Sequence, residues 1–251
     1  ALLNVQGLDA LEYLLFWDQP ENNCPGAVRI NRDGEWAAMV AEPGRLVQQR
    51  GEYAVVLASR VLDEAQTAMD VWSEEADFGR SFREGTSPFD GHAKALDEVY
   101  SGLFYLDKLV KDRKLGRILG LTEDCESDMC PDDVESLYAG LSTQNLVMNV
   151  RGFQLALQGA ENPDGQSGIG FADLLREEGA GGLADRMLEN TDAAILALES
   201  IGADLSTAVM DNPESVRNAH AAIKAITDDL KGEFVTVLSL EIPQEGAGDN
   251  D

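Results

Sequence analysis

NVQGLDALEYLLF, residues 4–16, has a near echo in NVRGFQLALQG, residues 149–159. Asn4-Val5-Gln6-Gly7-Leu8 aligns with Asn149-Val150-Arg151-Gly152-Phe153. Beyond this shared start the copies part. The first carries Asp9 and Glu12 where the second has Gln154 and Leu157. On a helix, Asp9, Glu12, Tyr13 and Phe16 share one face at i, i+3, i+4 and i+7, beside an apolar face of Leu8, Leu11 and Leu15. The first copy thus projects two carboxylates together, and the second does not.

Working outward, the dominant period is helical. Ala54, Leu57, Ala58, Val61, Leu62, Ala65, Ala68, Met69 and Trp72 keep i, i+3, i+4, i+7 spacing without Gly or Pro, which predicts one long amphipathic helix over 51–76. Leu96, Val99, Tyr100, Leu103, Leu106 and Val110 predict another over 89–113, with Ser87 as cap and Pro88 at its first position. Pro131-Asp132-Asp133 opens a helix through 158, and further helices follow over 180–201 and 213–232, the last led by Asp211-Asn212-Pro213. Gly179 to Gly182 reads as a helix-leading loop. Val-Thr-Val-Leu at 235–238 is the only tempting strand. The reading is all-α.

The loops correspond as well. A polar segment with Gly and Pro follows each echo, at 18–50 and at 159–182. This predicts a tandem duplication with a period of roughly 120–145 residues, too long for a solenoid repeat. Two pseudo-symmetric four-helix-type bundles are expected, over 1–124 and 125–251, joined through the acidic linker at 121–131. Ala1-Leu2-Leu3 starts inside an apolar helical pattern, so an N-terminal helix is expected before it. The tail from Gln244 is polar and expected to be flexible.

Composition narrows the function. The 251 residues carry 19 Lys+Arg against 46 Asp+Glu, a net charge of −27, with an ordinary 44% hydrophobic content. Such a surface repels phosphate backbones and anionic lipid, which argues against nucleic-acid binding. It attracts cations or keeps the chain soluble in salt. No apolar run reaches the roughly 18 residues of a membrane span, and no signal peptide is visible. Any membrane contact is expected through a lipid anchor on a missing segment. Of the three cysteines, Cys125 and Cys130 could form a local disulfide, leaving Cys24 free, or all could stay reduced.

If Asp9 and Glu12 were both buried, repulsion and desolvation would raise at least one pKa unless a cation sat between them. Oxygen donors suit Ca²⁺, Mn²⁺ or iron. The alternative is that both acids simply face water. His220 falls on the apolar face with Val216, Ala219 and Ile223, as a core or half-buried residue, and His92 falls in the first turn of its helix. HExxH, G-x-S-x-G and P-loop patterns are absent.

Gly7-Leu8-Asp9-Ala10-Leu11-Glu12-Tyr13-Leu14-Leu15-Phe16 resembles the signature helix of the imelysin family, whose motif is G-x-H-x-x-E followed by an apolar run. Lys114-Leu115-Gly116-Arg117-Ile118-Leu119-Gly120 is similar to the family's K-L-x-x-P-L-G segment, with Ile118 in place of Pro. Leu141 to Gly152 resembles its second-domain helix, and Gly168-Ile169-Gly170-Phe171-Ala172-Asp173-Leu174-Leu175 fits too. The resemblance covers nearly the whole chain and implies two helical bundles related by pseudo-symmetry. It also implies a periplasmic or outer-membrane lipoprotein linked to iron uptake, or a metallopeptidase (peptidase M75) using the motif His and Glu. Gly7 and Glu12 match the motif, but Asp9 stands at the His position. A carboxylate there suits a hard cation better than a peptidase zinc.

These observations lead to a non-enzymatic cell-envelope protein, without catalytic residues or an organic cofactor site. It would bind a divalent metal (iron, Ca, Mn or Zn) or a metal-bearing ligand between the two bundles. Asp9 and Glu12 are the expected metal residues, and Asn4, Gly7, Asn149 and Gly152 the structural motif residues. The partner is the metal or small ligand, or another envelope protein. The alternatives are a metallopeptidase with a degenerate motif and an interaction scaffold in which Gly7 serves close helix packing.

Overall fold

The computed structural model describes residues 7–22, 24–73, 75–160 and 168–243. Asn4, the Ala1-Leu2-Leu3 start and the tail from Gln244 lie outside them. Every regular element among the described residues is helical, as the periodicity predicts. The chain forms two compact units, Ala1–Gly79 and Arg80–Asp251.

The second unit is built on a ring of four helices. A π-helix, Leu106–Gly116, packs on α7 (Ser142–Gln158), α7 on α9 (Gly181–Glu199), α9 on α11 (Pro213–Asp229), and α11 back on the π-helix. This is a four-helix bundle. Each helix turns a regular apolar row inward: Val110 and Leu115, then Leu146, Val150, Phe153 and Leu157, then Leu183, Met187, Ala194 and Leu198, then Val216, Ala219, Ile223 and Ile226. Burying each large apolar side chain contributes roughly 1.5–3 kcal/mol before chain entropy is counted. Short α8 (Phe171–Glu177) covers α7 and α9, and α10 (Leu205–Asp211) packs on α11. Asp204 caps α10 by accepting from the Thr207 N–H at 3.3 Å, and Pro213 opens α11 where its missing N–H costs nothing.

Several expected helices end differently. The segment predicted to run from 89 to 113 splits into α6 (His92–Leu103) and the π-helix. Pro131–Asp133 forms only a 3₁₀ turn, and α7 waits until Ser142, because Gly140 takes a left-handed φ of 65° just before it. Residues 235–238 are not a strand. After α11 the chain continues through a π-turn, Leu230–Phe234, into α12 (Val235–Val237). Phe234 is fully buried, stacked on Tyr100 at 5.6 Å, and Tyr100 donates to the Leu230 carbonyl at 3.0 Å. That tertiary burial overrides the β-propensity of two valines and a threonine.

In the first unit, α1 (Leu8–Phe16) lies on the 28-residue α4 (Arg45–Trp72), with α3 (Glu35–Ala41) alongside α4 and short α2 (Arg29–Arg32) beside α3. The Arg50 guanidinium ties this layer together. It donates to the carbonyls of Trp17 and of Gln19, the latter at 2.8 Å, and lies 5.9 Å from the Tyr13 ring centre. Among this unit's described residues only Ala54, Leu57 and Gly79 are buried. Compact packing divides the chain at Gly79, whereas the echo pattern puts a repeat boundary in 121–131. That linker falls inside the second unit, because the ring takes its fourth member from 106–116. No helix among the described residues is long and apolar enough to cross a membrane.

Candidate functional site

Gly7 starts α1 at φ 91° and ψ −166°, a conformation essentially reserved for glycine. Nothing lies within 4 Å of where its Cβ would stand. The conformation fits a backbone turn, and among the described residues no close helix packing against Gly7 is present. Asp9 sits in the first turn of α1, where the helix dipole favours a carboxylate. Asp9 is exposed and Glu12, one turn on, is half-buried. The pair stands on an accessible face and does not form a buried repelling couple. Two carboxylates supply only part of what a hard cation takes, typically six to eight oxygens for calcium. Among the described residues no group of three or more His, Cys, Asp or Glu is arranged to hold a metal ion. One residue past Glu12, a cavity of about 420 Å³ opens in the first unit, lined by Tyr13, Trp36, Met39, Arg50 and Tyr53.

The histidines both lie in the second unit. His92 is exposed at the start of α6, and His220 is half-buried on α11 between the fully buried Val216, Ala219 and Ile223. Cys125 and Cys130 are joined in a disulfide, and Cys24 is a free, exposed thiol.

The second echo has a structural task. Lys114 Nζ donates to Asn149 Oδ1 at 2.9 Å and pairs with Glu135 at 2.7 Å. The Tyr105 hydroxyl donates to the Asn149 carbonyl, and burial pushes its pKa up to about 12, so it stays a donor. A Cβ on Gly152 would stand 3.4 Å from that hydroxyl. Asn149 thus seats α7 against the segment that carries Tyr105 and Lys114, and Gly152 lies at ordinary contact distance from Tyr105.

Sequence reasoning missed a charged cluster in the same segment. Asp107 and Lys111, one turn apart on the π-helix, are both fully buried. Lys111 Nζ lies 3.1 Å from Asp107 Oδ1 and 3.2 Å from Asp112, while Lys231 and Lys108 approach Asp107 at 3.4 and 3.7 Å. Among the described residues neither Asp107 oxygen meets hydrogen-bond geometry, so the attraction is mainly between charges. Burial pushes the Asp107 carboxyl up, but the contact with Lys111 and the nearby ammonium charges outweigh it, and its pKa is lowered.

The arrangement defines an all-α protein with an acidic helix start in one unit and a four-helix bundle in the other. The imelysin (peptidase M75) family model matches residues 3–231, and the chain belongs to that family. No curated protein and no solved structure gives a match.

Proposed function

We propose that this imelysin-family protein is a non-catalytic component of the cell envelope that binds a metal-bearing ligand, iron-related, at α1. Asp9 and Glu12 would contribute two oxygen donors. The observation that carries the reading is the accessible i, i+3 carboxylate pair standing where the family motif has His and Glu. Two carboxylates on one accessible helix face supply hard oxygen donors, and a metal that arrives with donors of its own needs few more from the protein. The aromatic-lined cavity beginning at Tyr13 offers apolar surface for the organic part of such a chelate. A disulfide in the second unit fits an oxidising compartment such as the periplasm.

The test is anaerobic calorimetry with Fe²⁺, Mn²⁺, Zn²⁺ and Ca²⁺ alone, and with iron presented as its citrate chelate. The chelate is expected to bind with one-to-one stoichiometry and the bare ions more weakly. Tight binding of a bare ion would instead require a complete protein donor set. No binding of chelate or ion would overturn the reading.

A further inference from the structure

Helix α4 leaves much of its apolar face uncovered. Its buried residues are Ala54 and Leu57. Beside them runs a seam of Gly51, Val55, Ala58, Leu62, Ala65 and Met69, in alternating steps of four and three. All six are exposed, Val55 and Leu62 at 67% and Met69 at 68%. A Cβ on Gly51 would meet nothing within 4 Å. Steps of four and three kept up over about three heptads belong to a helix that packs lengthwise on another. We propose that α4 pairs along this seam with α4 of a second copy of the chain, antiparallel and centred on Arg60.

Three observations carry it. The first is the size of the side chains. Large residues, Val55, Leu62 and Met69, form one column of the seam, and small ones, Gly51, Ala58 and Ala65, form the other. In a parallel pair each column would face itself, large on large and small on small. In an antiparallel pair each column faces the other, and large side chains fill the gaps above small ones. Turned about Arg60, Val55 meets Ala65 of the other copy, Leu62 meets Ala58 and Met69 meets Gly51. The three pairs come into register together, and the twofold axis repeats them. Residues 48–72 then overlap over about 36 Å. The helix is complementary to itself, as a closed symmetric dimer requires.

The second is the neutrality of the seam. At −27, two copies repel one another at long range. Yet the positions beside the seam are Ala54, Val61 and Ala68 on one side and Glu52, Ser59 and Gln66 on the other, with Glu52 the single charge. Helical spacing puts Arg60, Asp63, Glu64 and Asp70 on the far face. Pairing here brings almost no like charges together.

The third is the direction of charge along the helix. Residues 45–60 carry three arginines and one glutamate, and residues 61–72 carry three acids and no base. Arg60 and Glu64 pair on their own helix, and the gradient stands without them. Antiparallel pairing lays the basic half of one helix along the acidic half of the other, whereas parallel pairing sets like against like.

The experiment uses the whole chain with Cys24→Ser, so that the exposed Cys24 thiol cannot link two copies by itself. Sedimentation equilibrium should give two chains per particle at about 50 µM. Leu62→Glu should weaken the dimer on the order of 100-fold. Its helix content and its melting, compared where both proteins are dilute, should stay those of the parent. In the antiparallel pair, Ser59→Cys faces its own copy across the axis and should cross-link on mild oxidation. Gln66→Cys lies about 21 Å from its copy along the helix and should not. A monomer at about 50 µM would overturn the proposal and leave the seam to a helix of a different protein. So would a dimer that folded Leu62→Glu leaves intact, or one that Gln66→Cys cross-links as readily as Ser59→Cys.

Discussion

Helices α1 and α7 begin from nearly the same residues and meet opposite fates. In α7 the echo lies in the middle of a 17-residue helix, and Val150, Phe153 and Leu157 are all fully or almost fully buried. In α1 the echo is the start of a 9-residue helix and nothing is buried: Leu8, aligned with Phe153, is 68% exposed. The difference answers why only one copy carries acids. The partner of Glu12 is Leu157, a core residue at 1% exposure, where a carboxylate would lose its water without gaining a partner. The partner of Asp9 is Gln154, which donates to Asp192 at 2.7 Å. Packing removes the acids from the second copy. An open surface permits them in the first.

The sharpest way to break this comparison is to exchange the two side chains. Leu157→Glu should destabilise the second unit by about 3–5 kcal/mol by stranding a charge in the core, whereas Glu12→Leu should change stability by less than about 0.5 kcal/mol. Denaturant unfolding of the two variants checks both, and a mild Leu157→Glu would show that α7 is not the core helix described. Phe153→Ala should cost about 3–5 kcal/mol, against a few tenths for Leu8→Ala.

Asp107→Asn comes next. It removes from the buried Lys111 the carboxylate that lies 3.1 Å from its ammonium, at a cost of about 3 kcal/mol. The carboxyl of Asp107 titrates below its ordinary value in the folded protein. Its contribution is therefore complete above the unfolded pKa of about 4 and is lost as pH falls through the folded one. Urea midpoints measured from neutral to acid pH should fall more steeply for the wild type than for Asp107→Asn. Parallel curves would mean that the cluster does not hold this carboxyl down.

The paired glycines should respond differently. Gly7→Ala forces a side chain into a positive-φ conformation and should cost about 1–3 kcal/mol of local stability in α1. Gly152→Ala, inside α7 with Tyr105 at ordinary contact distance, should be neutral or stabilising by about 0.5 kcal/mol. Amide hydrogen exchange of α1 and thermal melting of the whole chain separate them.

The helical class, the cap at Pro213 and the inward rows of α9 and α11 were legible because period and burial agree there. The π-helix was not. Its buried doublets, Leu106-Asp107, Val110-Lys111 and Leu115-Gly116, step by four and then five residues. Half of each later doublet is a lysine or a glycine, which reads as surface or loop. Buried charges that neutralise one another look solvated in a sequence, since nothing in the chain order shows which ammonium meets which carboxylate. Residues 235–238 misled for the opposite reason: β-branched residues signal a strand unless a core already waits for them. The carboxylate pair at Asp9 and Glu12 could be read from helical spacing alone. Its exposure could not, because that depends on what α1 packs against.

The central claim is that the open copy of the echo holds a ligand through its acids. The most direct measurement is calorimetric binding of ferric citrate to the wild type and to Asp9→Asn/Glu12→Gln at matched pH and salt, with thermal melting in parallel. The account predicts that the double variant melts with the wild type and loses the binding. Unchanged binding with both acids neutralised would contradict it.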